Sequence, residues 1–241
     1  MTEQEIKQEA FELRRKFGFS GTEPIRLKSL LLKEKILTYF TLLDDDFSGM
    51  AIEVNGTRFL IINSKHSLGR QHFTICHELY HLFVDKNFTT HRCQTATFNK
   101  ANKAEYWADR FASHFLLPEF GVLSEIPKDE WRNDKIKLAT IIKIEQYYAC
   151  SRRALINRLL HLSIVSPEYR NELIVSIKKT AQMHGYPINL YEVGNEGEFW
   201  GDYGSLAKEL FDDELISEGK YASLMKDIGI DIFENLDDNG N

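Results

Sequence analysis

A chain of 241 residues is long enough for one sizeable core with an appendage, or for two small domains. With 43% hydrophobic and 27% charged residues it has the composition of a soluble globular protein. No apolar run reaches the ~18 residues of a membrane span, which excludes a membrane-embedded function by helices.

The net charge of −6 hides an asymmetry: Gly194 to Asn241 carries 13 acidic and 3 basic residues, and the remainder 23 acidic and 27 basic. The body is mildly basic and the tail strongly acidic. Such a tail is usually a solvated face; a docking surface for a basic partner and an intramolecular cover are the alternatives. Cys76, Cys93 and Cys150 are an odd number without paired spacing, and Met1 to Glu5 has no basic-then-apolar leader pattern. Both point to a reducing, cytoplasmic setting without structural disulfides.

In chain order, Thr2 to Phe17 predicts a helix, with Ile6, Ala10, Leu13 and Phe17 on one apolar face and Gly18 as a stop. Pro24 to Glu34 predicts a second, shorter helix that buries Leu27, Leu30 and Leu31. Ile36 to Leu43 is rich in β-formers, and Asp44-Asp45-Asp46 reads as a turn, since the rest of a calcium-loop spacing is missing. Gly49 to Val54 and Thr57 to Asn63 predict two strands joined by an Asn55-Gly56 hairpin turn. The edge of such an antiparallel sheet can pair with an extended backbone.

Gln71 to Val84 contains neither Gly nor Pro, and Phe73, Cys76, Tyr80, Phe83 and Val84 recur at helical spacing. Inside it lies His77-Glu78-Leu79-Tyr80-His81, the H-E-x-x-H pattern of zinc peptidases. Residues four apart share a helix face, so His77 and His81 can ligate one ion, with Glu78 beside it to activate a water. The competing reading is a core helix that happens to carry two histidines.

Phe88 to Lys103 is polar and predicts a surface loop, with His91 and Cys93 as bystanders. Lys103 to Leu117 predicts a helix stopped at Pro118, with Trp107, Ala108, Phe111, Ala112 and Phe115 on its apolar side. Glu105 and Asp109 stand four apart on it. A catalytic zinc needs three protein ligands and an open position, and a ligating histidine wants a carboxylate on its other ring nitrogen. Glu105 as third ligand and Asp109 as partner of His77 or His81 meets both needs; a solvated Glu/Asp pair with Arg110 is the alternative. His114 reads as a polar residue at a helix end.

His77 to His81, then Glu105 to Ala112 and Leu116-Leu117-Pro118, together resemble the ImmA/IrrE family of metallopeptidases. Arg70, Phe73 and Thr74 match the family's lead-in to the motif, and the resemblance covers roughly Ile36 to Val165. It implies an α+β, zincin-like core and a cytoplasmic zinc endopeptidase, with other divalent metals able to replace zinc. Members typically cut a repressor of the helix-turn-helix type, often encoded beside them, and so induce phage, mobile-element or stress genes. Trp107 departs from the family pattern, where many members carry an acidic or polar residue; it leaves Glu105 as the only acidic candidate at the ligand end of its helix.

Asn133 to Ser163 predicts two helices around a break at Ala149-Cys150-Ser151, with Ser151 as cap. Arg152, Arg153 and Arg158 would be the phosphate contacts of a helix-turn-helix. Three arginines in a net-acidic protein favour instead a helix pair packed on the core, so direct nucleic-acid binding is not expected. Pro167 to Thr180 predicts a continuing helix. Gly194 to Gly204 reads as a turn plugged by Phe199, Trp200 and Tyr203, Ser205 to Phe211 and Ser217 to Ile228 as short helices, and Asn235 to Asn241 as disordered.

The expected organisation is a peptidase core over residues 1–125, a helix-turn-helix-like pair over 126–166 and an acidic, mostly helical region over 167–241. The rival to the peptidase is a non-catalytic, metal-containing regulatory or antitoxin-like protein that sequesters a partner. The intact set of two ligands, base and carboxylate helix favours the enzyme, because a structural site needs neither Glu78 nor an open position.

Overall fold

Thr2 starts the first helix, α1 (Glu3–Lys16), by a reciprocal cap: its hydroxyl accepts from the Glu5 N–H at 3.3 Å, and the Glu5 carboxylate accepts from the Thr2 N–H at 2.6 Å. Ile6, Ala10, Leu13 and Phe17 are all buried, as their spacing requires. The structure, a computed structural model, describes residues 1–86, 91–93, 103–131 and 136–233. α2 (Leu27–Lys33) follows, then β1 (Ile36–Thr41), β2 (Gly49–Val54) and β3 (Thr57–Asn63). Asn55 and Gly56 both have positive φ, 52° and 80°, the conformation that a two-residue hairpin turn demands.

The sheet has five strands in the order β4-β2-β3-β1-β5, with β4 (His91–Cys93) and β5 (Phe199–Trp200) as its edges. It corrects the wholly antiparallel expectation in one pair: β1 runs parallel to β3, from Ile36 opposite Arg58 to Thr41 opposite Asn63. The return is made through the β2–β3 hairpin, and Asn63 ties the intervening loop. Its side-chain amide donates to the Phe47 carbonyl at 2.7 Å and to that of Asp44 at 3.2 Å. β4 lies within the stretch expected to be loop, and the side chains of His91 and Cys93 and the rest of Phe88 to Asn102 lie outside the described residues. β5 occupies the glycine-rich stretch read as a turn, and its Trp200 packs on Phe40 with ring centroids 4.5 Å apart.

The long central helix α3 (Leu68–Phe83) and α4 (Lys103–Leu116) pack against each other, with α3 against β2 and β3 and α1 on α4. Arg14 of α1 is buried and fixes that junction: its guanidinium donates to the carbonyls of Ser20, Phe115 and Glu23. Short helices α5 (Glu119–Ser124) and α6 (Lys128–Trp131) lead to the pair α7 (Leu138–Tyr147) and α8 (Arg152–His161). Ala149 (φ 50°) makes the break and the Ser151 hydroxyl accepts from the Ala154 N–H at 3.2 Å, as the sequence predicts. Residues 132–135 lie outside the described ones.

The stretch expected as one helix from Pro167 is two, α9 (Pro167–Leu173) and α10 (Ile177–Met183), because Ser176 adopts φ 51° and breaks the ladder. α11 (Tyr203–Asp212) and α12 (Glu218–Asp227) end the described chain, and Asn235 to Asn241 lie beyond it. One cluster of buried side chains runs from Ile6 through both β-sheet and helices to Trp200. No described helix is long and apolar enough to cross a membrane. The architecture is α+β: a small sheet beside the His77 helix and a carboxylate helix, followed by a helical C-terminal region.

Candidate metal centre

The apolar stripe of α3 buries Ile75, Cys76 and Leu79 in the core, and this packing sets the rotation of the helix. His77 and His81 then emerge one turn apart with ring centroids 5.2 Å from each other. α4 crosses the same face. Its core side, Ala108, Phe111, Ala112 and Phe115, is fully buried, so the residues a turn earlier are held against the two imidazoles. Glu105 lies between them: His77 Nε2 is 3.2 Å from one carboxylate oxygen and His81 Nε2 is 3.5 Å from the other. Atoms of His77, His81 and Glu105 able to bind a metal all fall within 4.8 Å of one another.

The opposite ring nitrogens are held as well. His77 Nδ1 is 2.8 Å from Asp109 Oδ1, so Asp109 can accept the Nδ1 proton, which turns the Nε2 lone pair toward Glu105. For His81 the corresponding group is Asp85, with Oδ2 3.5 Å from Nδ1. Asp85 was not among the residues expected from the sequence. Its signal was available: it lies four residues after His81, one helical turn on, just past the end of α3. Burial, and then the charge of His77, depress the His81 pKa to about 4 against the pull of Glu105 and Asp85, so its imidazole is neutral and able to ligate near neutral pH.

Two imidazole nitrogens and one carboxylate, each imidazole backed by a second carboxylate, form a donor set that fits a divalent metal with a position left for water or substrate. Glu78 is buried on the sheet side of α3. Gly49 of β2 makes room for it: a Cβ there would lie 2.7 Å from Thr74 Cγ2 and 3.2 Å from Glu78 Oε1. The requirement for glycine was invisible in the sequence, where Gly49 read as the start of a strand.

The three arginines of the α7–α8 pair are not brought together for a ligand. Arg152 and Arg158 are buried; Arg158 donates to the Leu117 carbonyl at 3.1 Å, and Arg152 pairs with Glu145 at 2.7 Å. Only Arg153 is exposed. Their alternation with Leu155, Ile156 and Leu159 places two of the three guanidiniums on the packed side of α8, which removes them as phosphate contacts. His114 is likewise engaged, with Nε2 2.7 Å from the Glu3 carboxylate that also binds Arg110.

No curated protein matches the chain. A family model, the IrrE N-terminal-like domain of peptidase family M78, matches residues 29–160, more than half of the length and the whole of the α3–α4 pair. The matched stretch contains His77, His81 and Glu105, and the chain belongs to the ImmA/IrrE family of metallopeptidases.

Proposed function

We propose that this protein is a zinc-dependent endopeptidase whose substrate is a helix-turn-helix transcriptional repressor, cut to induce phage, mobile-element or stress genes. The observation that carries the catalytic part is the convergence of His77, His81 and Glu105 within 4.8 Å, with Glu78 on the helix that bears both imidazoles. The repressor as substrate rests on the family resemblance. In this reading residues 1–125 hold the chemistry, 126–166 form a supporting helix pair, and 167–241 form an acidic region.

His77, His81 and Glu105 would hold the ion, and two nitrogens with one oxygen is a set that zinc accepts. Zinc in this place supplies Lewis acidity, polarising the scissile carbonyl and lowering the pKa of water. Glu78 accepts one proton from the attacking water and passes it to the departing amine nitrogen; the second proton of that water follows as the C–N bond breaks, so the products leave as a carboxylate and an ammonium group. Asp109 and Asp85 hold the imidazoles in orientation and tautomer. Among the described residues β4 is an outer strand of the sheet, where an extended substrate could add. β4 pairs with β2 through Cys93 opposite Gly49, and Gly49 adjoins Glu78, so a strand added there would run past the base.

The test is cleavage of a repressor encoded beside this chain by the purified, zinc-loaded protein. Wild type cuts it, and Glu78→Gln slows the cut by about 10²–10⁴-fold while keeping its metal. Regulation that survives Glu78→Gln unchanged would instead support a protein that acts by sequestering its partner.

A further inference from the structure

A cleft of about 1010 Å³ opens between the N-terminal half of α3, the start of α8 and the α9–α10 region, apart from the three candidate ligands. Among the described residues that line it, eight are Lys or Arg and one, Asp109, is acidic. This is the reverse of the whole chain, whose net charge is −6. Lys65, Arg70, Arg153, Arg170, Lys178 and Lys179 come from three separate stretches of sequence, so the concentration of charge is made by the fold.

Part of this charge is already compensated. Arg110 and Arg152 pair with Glu3 and Glu145, Lys65 lies 3.1 Å from Asp45, and Lys178 lies 3.3 Å from Glu192. Among the described residues Arg153, Arg170 and Lys179 have no carboxylate within ion-pairing distance. Arg70 donates to the Ser48 hydroxyl at 3.2 Å, and burial followed by the charge of Arg153 depresses its pKa, so these two guanidiniums repel each other across the wall. An anion placed between them relieves that repulsion.

Two further features narrow the ligand. The first turn of the ten-residue α8 enters the lining through Ser151, Arg152, Arg153 and Ala154, and a helix start adds backbone N–H groups and positive potential to the side-chain cations. Phe73, Ile174, Ile177 and Tyr191 give the same cleft apolar wall, which inorganic anions do not need. Its volume is that of a small-molecule site.

We propose that this cleft binds a phosphate-bearing small molecule of nucleotide size, with its phosphates between Arg70, Arg153 and Lys179 and its organic part on the apolar wall. Binding there requires no peptidase step, but the site is not remote from that chemistry. Asp109, whose carboxylate accepts from His77 Nδ1, forms part of its wall, so occupancy bears on the group that orients a candidate ligand.

The test is calorimetric titration of the full-length, metal-loaded protein with magnesium-saturated ATP, with inorganic pyrophosphate and with a short single-stranded DNA oligonucleotide at one salt concentration. Arg153→Glu and Lys179→Glu change exposed side chains, and unchanged melting temperatures verify that both variants fold. ATP binds the wild type, pyrophosphate binds more weakly, and each substitution weakens ATP at least about tenfold. The inference is overturned if neither ATP nor pyrophosphate binds, if ATP binding ignores both substitutions, or if the oligonucleotide binds more tightly than ATP. Because the readout needs no cleavage, its failure is distinguishable from a failure of the peptidase assignment.

Discussion

Two pairs of helices in this protein bury charged groups, and they do so in opposite ways. In the α7–α8 pair the polar groups close on one another. The Arg152 guanidinium binds Glu145 at 2.7 Å and the Leu173 carbonyl at 3.0 Å, and Tyr191 donates to the same Glu145 at 2.5 Å. In the α3–α4 pair, two neutral-capable imidazoles and a carboxylate point at a common place, each supported from behind by another carboxylate. The first arrangement is complete as it stands and serves packing. The second gathers electron-pair donors, which is what a cation requires. Burial of charge alone therefore does not identify a site; the sign and direction of the buried groups do.

The largest expected effect falls on the closed network. Arg152→Met should lower unfolding stability by about 3–5 kcal/mol, because it leaves Glu145 buried without its counter-charge. Burial already pushes the Glu145 pKa up even with Arg152 beside it. Chemical denaturation measures this, and metal content of the folded fraction should stay at the wild-type value. If instead the metal is lost and stability kept, the two regions are not the separate devices described.

Asp109→Asn acts on the open arrangement. It removes the acceptor that orients His77 and should weaken metal affinity by about 10–100-fold, with little change in the stability of the metal-free protein. Competition with a chromophoric chelator reads this directly. Asp85→Asn should follow in the same direction with a smaller loss, since Asp85 stands 3.5 Å from its imidazole where Asp109 stands 2.8 Å from its own.

A third effect involves neither the candidate ligands nor the Glu145 network. Burial, with the charge of Arg70 for His66 and of Arg158 for His114, holds each of these pKa values at about 4. The unfolded chain binds those protons near pH 6.5. The stability these groups contribute is thus full above about pH 6.5 and is lost as pH falls from there through 4. Melting temperature should decline over this window in chelator as well as in zinc, and His114→Gln should flatten part of the slope. A melting temperature constant from pH 7 to 4 contradicts this.

Much of the fold was legible because it is written locally. The Thr2–Glu5 cap, the Asn55-Gly56 turn and the Ser151 cap each depend on residues within three positions of one another. The pairing of β1 with both β3 and β5 was not, since Phe199 and Trp200 come 160 and 162 residues after Tyr39 and Thr38 and no periodicity records which segments will meet. The break at Ser176 was missed for another reason: a serine at φ 51° leaves no trace of the kind glycine would. At the candidate site the spacing of His77, Glu78 and His81 was enough to place three residues on one helix. Glu105 and Asp109 were legible only because one helix face meets two chemical needs. The sequence favours a packed α7–α8 pair over phosphate contacts, and only tertiary packing shows that Arg152 and Arg158 themselves are enclosed.

The central claim is that the α3–α4 face is a metal centre and the α7–α8 network is not. Elemental analysis of the purified wild type, Glu78→Gln, Glu105→Ala and Arg152→Met proteins after dialysis against trace zinc tests it. The account predicts about one zinc per chain in the wild type, in Glu78→Gln and in folded Arg152→Met, and far less in Glu105→Ala. A wild type that holds no metal, or a Glu105→Ala protein that holds as much as the wild type, would contradict it.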